Sequence, residues 1–292
     1  MTSFDPRVTP ARPDLAARFL EGQVESARFV DAQVREVIDA QAPLRGLPTP
    51  DAALDTEALM GERVSVYEIT DEGWAWGQLD SDRYVGWLPA NALGPPGPPP
   101  THRVTALRTF IFPGPSIKLP PIAAPSLGAQ LSVVRVQERF AVTASGGYVP
   151  VRHLARLDFR ETDFVAVAER FLGVPYLWGG KTSLGLDCSG LVQIALNACG
   201  IACPRDSDMQ ARMLGRNIVQ TDSLQLERGD LLFWHGHVAI ARDPSTLIHA
   251  NAFSMAVAIE PIAQARARIR AADGDLIGVR RFDDGAGSSE RR

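Results

Sequence analysis

Apolar and polar positions follow two rhythms along this chain. Around residues 187–200 the rhythm is helical. Leu191, Val192, Ala195, Leu196 and Ala198 recur at the spacing of one helix face, and Gly200 closes the run. Asp187 stands where an N-cap belongs. Ahead of it, Val174-Pro175-Tyr176-Leu177-Trp178-Gly179-Gly180 carries the proline and glycines that disfavour a regular helix. Farther on, Leu231-Leu232-Phe233-Trp234, His237-Val238-Ala239-Ile240-Ala241 and Thr246-Leu247-Ile248-His249-Ala250 predict short strands. Arg242-Asp243-Pro244-Ser245 separates the last two with turn residues, which predicts an antiparallel hairpin centred on Asp243.

The first half reads differently. Leu15-Ala16-Ala17-Arg18-Phe19-Leu20 predicts a short helix within a helical segment over 1–32. An internal repeat follows. Gly61-Glu62-Arg63-Val64-Ser65-Val66 precedes Arg83-Tyr84-Val85-Gly86-Trp87-Leu88, and Gly128-Ala129-Gln130-Leu131-Ser132-Val133 precedes Gly147-Tyr148-Val149-Pro150-Val151. Each unit opens on an apolar strand candidate, Val34–Ile38 in one and Val104–Leu107 in the other. Short strands between Gly, Pro and Asp turns predict two small β-barrels, over 33–97 and 98–157. Gly94-Pro95-Pro96-Gly97-Pro98-Pro99-Pro100 reads as a stiff linker between them. Helices and strands mix in an α+β domain over 158–282. The polar, Gly/Ser-rich 283–292 predicts a disordered tail.

Composition adds limits. A chain of 292 residues at 45% hydrophobic can bury a sizeable core. A net charge of −4 with no basic block argues against nucleic acid as the main partner. Met1 to Val30 has scattered charges and no apolar run, so no secretory signal and no membrane span are expected, and a cytoplasmic location with them. A monomer is expected.

The candidate chemistry centres on Cys188. At the head of a helix, unpaired N–H groups and the helix dipole favour an anion, which predicts a lowered thiol pKa. His237 and His249 are equidistant from Asp243, so a hairpin centred there sets them face to face. One imidazole can then take the thiol proton while the other orients it, the logic of a cysteine hydrolase. Taken singly, each of these residues is more often a structural group; the constellation is what points to catalysis. Cys199 and Cys203 lack Cys-x-x-Cys spacing and read as buried apolar residues. His235, two residues from His237, would share its face in a strand. It is the alternative base, and with His237 and His249 a less favoured three-imidazole metal site. Asn251 is the alternative orienter.

Six segments together carry a resemblance: Pro175–Gly180, Asp187–Val192, Pro204-Arg205-Asp206-Ser207, Gly229-Asp230-Leu231, His237–Ile240 and Ile248-His249-Ala250. In order and spacing, residues 164–282 resemble the NlpC-type papain-like cysteine peptidases, which hydrolyse peptidoglycan stem peptides. The repeated modules resemble bacterial SH3-like barrels. The resemblance implies Cys188 as nucleophile, His237 as general base, His249 as orienting residue and Tyr176 as an oxyanion donor beside the Cys188 N–H. It implies no metal and no cofactor.

Two barrels before such a domain resemble the γ-D-glutamyl-L-diamino acid endopeptidases. These act on free murein peptides, L-Ala-γ-D-Glu linked to meso-diaminopimelate or L-Lys. In that group the first barrel closes one end of the cleft, so that a free N-terminal L-Ala is required. Carried over, Tyr84 and Glu62 are barrel contacts to that end, Asp206 meets the ammonium, and Tyr176, Asp187, Ser189 and Ser207 line the pocket. Local structural roles compete for several of these. Asp187 can cap the catalytic helix, Ser207 can cap the next with Gln210 completing a capping box, and Tyr84 can be barrel core. The alternative function is an exported peptidoglycan hydrolase whose barrels bind the wall.

Overall fold

The structure is a computed structural model that describes residues 4–219 and 225–283. The chain divides into two compact units, Met1–Leu157 and Asp158–Arg292. Among the described residues no helix is long and apolar enough to cross a membrane. Of the tail predicted over 283–292, all but Asp283 lies outside the described residues.

Strands build the first unit. Seven form one antiparallel sheet in the order Leu54–Leu59, Gln41–Arg45, Val85–Pro89, Trp74–Leu79, Arg63–Ile69, Gln33–Val37, Leu93–Gly94. Period-two burial shapes it: Val64 and Val66 are buried, while their neighbours Arg63, Ser65 and Tyr67 are only partly so. Val37, Leu44, Val64, Leu79, Tyr84 and Leu88 belong to its core. Gly86 is needed for close approach, since a Cβ there would lie 2.3 Å from Leu44 Cδ2 and 2.7 Å from Arg45 O.

The second module holds two three-stranded sheets around Val104, Ile111, Ala129, Leu131 and Val149. Its first strand spans His102–Val104 and stops short of the predicted Leu107. Just beyond it, residues 108–112 make isolated bridges, Arg108 with Ser126, Ile111 with Ala123 and Phe112 with Tyr148. The prolines between residues 113 and 125 remove the N–H donors that a longer ladder needs. The proline linker is fastened rather than free. Gly97 N donates to Glu36 Oε2 at 2.9 Å, Arg63 donates to Gly97 O at 2.9 Å, and Ser132 Oγ donates to Pro99 O at 2.8 Å.

The helix predicted at Leu15–Leu20 does not form. Ala16–Ala17 is a two-residue strand parallel to Phe29–Val30, and Arg18–Leu20 is a single 3-10 turn. Leu15, Ala16 and Ala17 are buried at consecutive positions. An extended segment enclosed on both sides produces that pattern, whereas a surface helix buries one face.

The second unit is the α+β one. Its helices are α1 (Phe164–Glu169), α2 (Cys188–Ala198), α3 (Ser207–Met213) and α4 (Ile262–Asp273). Its strands are β1 (Arg216–Ile218), β2 (Leu231–Trp234), β3 (His237–Ala241), β4 (Thr246–Asn251), β5 (Ala256–Pro261) and β6 (Gly278–Arg281), forming a sheet in the order β1-β6-β2-β3-β4-β5. Ile262, Ala265 and Ile269 of α4 share a core with Ala239, Ala241 and Leu247 of the sheet.

The β3–β4 hairpin is centred one residue later than predicted. Ile240 pairs with Ile248 and Ala241 with Leu247, which places the centre at Pro244. Asp243 accounts for the shift. Its Oδ1 accepts from Ser245 N and Thr246 N, each at 2.8 Å, so the loop curls around the carboxylate before the strand resumes.

Candidate active site

Cys188 is the first residue of α2 and is buried. Asp187 caps the helix as predicted, its Oδ1 accepting from Gly190 N at 2.7 Å. The same carboxylate fixes the preceding loop, since Oδ2 accepts from Gly179 N at 2.9 Å. Gly190 permits this close packing: a Cβ there would lie 2.2 Å from Gly180 O. Arg205 seals the arrangement with its guanidinium against Asp187, at 2.7 Å to Oδ2 and 3.0 Å to Oδ1, and donates to Ser189 Oγ at 2.8 Å. Arg205 is buried, so this is an interior ion pair with its hydrogen bonds filled.

The sulfur touches the backbone on both sides of His237. Cys188 Sγ lies 3.9 Å from Gly236 O, and the Val238 N–H points to it. Burial pushes the thiol up to about 12 and the Asp187 charge adds to this, while Val238 N–H, Arg205 and Ser189 N–H pull the other way. The expected acidification by the helix start is therefore outweighed by desolvation. Burial likewise pushes His237 down to about 3, with the His249 and Arg268 charges adding to the effect. Burial thus favours the neutral form of both the thiol and the imidazole.

The two imidazoles meet, though not face to face. In the observed register His249 lies diagonal to His237 on the same face of the sheet. His237 Nε2 and His249 Nδ1 are 2.8 Å apart. That bond engages Nε2 of His237, so Nδ1 is the ring nitrogen outside it. The far side of His249 is engaged too: Nε2 lies 2.7 Å from Glu260 Oε1 on β5. Arg268 of α4 holds both oxygens of Glu260, at 2.5 and 2.7 Å. Glu260, Arg268 and Arg205 were not assigned roles from the sequence. Each acts through a partner brought to it by the fold; Arg205 stands in the Pro204–Ser207 segment, but its partner Asp187 lies 18 residues away.

The other candidates fall as follows. Tyr176 is half-buried, and burial together with the Cys188 and Asp187 charges pushes its hydroxyl up to about 12, so it stays a donor near the thiol. Asp187 and Ser189 are buried with their side-chain oxygens engaged by Arg205. Asp206 takes the N-cap position of α3 and Ser207 is its first residue. The capping box expected from Ser207 and Gln210 does not form. The Gln210 amide instead donates to Ser189 O at 2.9 Å and Pro204 O at 3.0 Å, tying α3 to α2. Tyr84 and Glu62 belong to the first unit. The Tyr84 ring fills the barrel core, and Glu62 Oε2 accepts from Leu59 N at 3.2 Å.

His235 is not on a strand. It occupies the exposed two-residue turn between Trp234 and His237, with Gly236 at φ 72°. It does not share a strand face with His237, and among the described residues no three His, Cys, Asp or Glu side chains gather in a metal-holding group. Asn251, the alternative orienter, instead accepts from Ser254 N at 2.7 Å in the β4–β5 turn.

Comparison with known proteins agrees with this geometry. Residues 173–272 match the NlpC/P60 family, and residues 44–93 match the bacterial dipeptidyl-peptidase SH3 domain. The chain is 26% identical over 243 residues to a γ-D-glutamyl-L-lysine dipeptidyl-peptidase of Bacillus cereus (strain ATCC 10987 / NRS 248), covering 72% of this chain and 71% of that protein. It is 39% identical over 94 residues to dipeptidyl-peptidase 6 of Lysinibacillus sphaericus, covering 32% and 33%. A crystal structure of an NlpC/P60 family protein from Bacillus cereus ATCC 10987 aligns with a TM-score of 0.70 at 22% identity, covering 86% of this chain and 99% of that one, a likeness of fold. A helix-head thiol whose flanking contacts bracket a histidine lies within the matched residues 173–272, so the second unit carries an NlpC/P60 domain of the cysteine-peptidase type, preceded along the chain by an SH3 domain.

Proposed function

We propose that this protein hydrolyses the bond between γ-D-Glu and the diamino acid in murein peptides with a free N-terminal L-Ala. The supporting observation is the pairing, in one chain, of a dipeptidyl-peptidase type of SH3 domain with an NlpC/P60 unit holding Cys188, His237 and His249. The relatives' names point to the same bond.

In this reading the Cys188 sulfur attacks the γ-carbonyl carbon of D-Glu as its proton passes to His237. The Cys188 N–H and the Tyr176 hydroxyl receive the oxyanion. Collapse of the tetrahedral species breaks the C–N bond, and His237 returns the proton to the leaving amine. Water, deprotonated by His237, then attacks the thioester and releases L-Ala-D-Glu and the thiol. Asp206 is assigned to the ammonium of L-Ala, which needs an anionic partner once desolvated. In intact wall the L-Ala amine is acylated, so a free-amine requirement fits recycling of released peptides, and we place the activity in the cytoplasm.

The test is incubation of the purified protein with L-Ala-γ-D-Glu-L-Lys, its diaminopimelate counterpart, their N-acetyl forms and intact sacculi. Fast release of L-Ala-D-Glu from free peptides alone supports the proposal. Equal cutting of acetylated peptides or sacculi favours a wall hydrolase.

A further inference from the structure

The catalytic chain does not end at His249. Sheet register carries it two strands across and into a helix. His237 on β3 is diagonal to His249 on β4. His249 pairs with Ala258 and Leu247 with Glu260, so Glu260 is diagonal to His249 on the same face. Arg268 of α4 then grips the Glu260 carboxylate, and its guanidinium lies 4.2 Å from the Phe253 ring centroid. His249 is buried, and the Glu260 side chain is 15% exposed.

The protons in this chain follow from donor and acceptor chemistry. Burial pushes the Glu260 carboxyl up, but the hydrogen bonds and charges of Arg268 and His249 outweigh it and hold the group below its ordinary range. A carboxylate can only accept, so His249 Nε2 must carry a proton. Burial keeps His249 neutral against the opposing pull of Glu260, so its Nδ1 is a bare acceptor. His237 Nε2, 2.8 Å away, must therefore be the donor. The proton of a neutral His237 is then on Nε2, and its Nδ1 lone pair is free.

We propose that Glu260, held by Arg268, is a positioning residue that sets the tautomers of both histidines and so presents His237 to the thiol as a base. This rests on the cysteine-peptidase reading of the site and adds a residue and a cause to it. The substrate is not touched by Glu260.

Glu260→Gln tests the proposal sharply. Arg268 retains the amide oxygen, so the NH₂ group faces His249 Nε2 and the direction of every donor reverses. His237 then carries its proton on Nδ1, where it blocks proton acceptance from sulfur. The expected result is a kcat for L-Ala-γ-D-Glu-L-Lys lowered by about 10- to 100-fold, with KM within about twofold, as for other outer-shell orienting groups. In ¹⁵N-histidine spectra of the full chain, the His237 proton should move from Nε2 to Nδ1. Adding Arg268→Leu frees the amide to rotate and should restore part of the rate. A wild-type His237 protonated on Nδ1 would overturn the proposal, as would a Glu260→Gln protein with unchanged His237 signals and kcat. Should that variant fail to fold, the wild-type spectrum decides alone. If the wild type does not cut the tripeptide, the functional reading fails while the spectra still judge Glu260. If wild type and variant cut equally, Glu260's role fails and the function stands.

Discussion

At Cys188 two physical influences oppose each other. The first turn of α2 offers N–H groups to a thiolate, and full burial withdraws the water that would solvate it. Burial prevails here, and in the proposed mechanism His237 is the acceptor during attack. The sign of the pH dependence follows. His237 is useful when neutral, and its pKa is pushed down from 6.5 to about 3 by burial and nearby charge. Its base form is kept as pH falls and is lost only through the depressed value. The acid limb of kcat/KM should therefore lie below pH 6.5; a limb at or above the ordinary histidine value would contradict the neutral-pair account. His249→Ala should lower kcat by about 10²-fold or more, measured at saturating tripeptide, because the base loses its orienting partner. Cys188, His237 and His249 were legible in the sequence because short local signals mark them: a cap before an apolar helix, and two strands around a turn. Glu260 and Arg205 were not. Their partners lie 11 and 18 residues away, and only the folded sheet and loop bring them together.

At the scale of elements, the head of α2 is the fixed point. Asp187, Gly190 and Arg205 lock it to the 176–180 loop, which carries Tyr176. Arg205→Leu would leave the Asp187 carboxylate buried without its cation. Loss of one partner of an interior pair costs about 3–5 kcal/mol. Urea unfolding should show a drop of that size, and a change under 1 kcal/mol would mean the pair is solvated. Element type was legible wherever periodicity was long, as in α2 and β2–β4. Register was less so: moving the hairpin centre by one residue turned a face-to-face histidine pair into a diagonal one, through hydrogen bonds of Asp243 that no apolar pattern encodes. The segment around Leu15–Leu20 misled for a related reason. A short apolar run is compatible with a helix or with an enclosed extended chain, and tertiary packing makes the choice.

At the scale of the whole molecule, the chain joins an all-β unit to an α+β peptidase unit, and the Gly, Tyr and Trp signals made the first module of the all-β unit legible as an SH3-like one. The details of its second module were less legible, because the proline-rich excursion interrupts the strand pattern. Substrate selection belongs to this scale. If a free L-Ala amine is required, N-acetylation of the tripeptide should lower kcat/KM by at least about 10²-fold, since the partly buried Asp206 carboxylate loses its proposed cationic partner. The most direct test of the central claim is product analysis by mass spectrometry with L-Ala-γ-D-Glu-L-Lys, comparing wild type with Cys188→Ala. A thiol attacking the γ-carbonyl predicts L-Ala-D-Glu and free lysine from the wild type and neither from the variant. Cleavage by Cys188→Ala at the wild-type rate would contradict it.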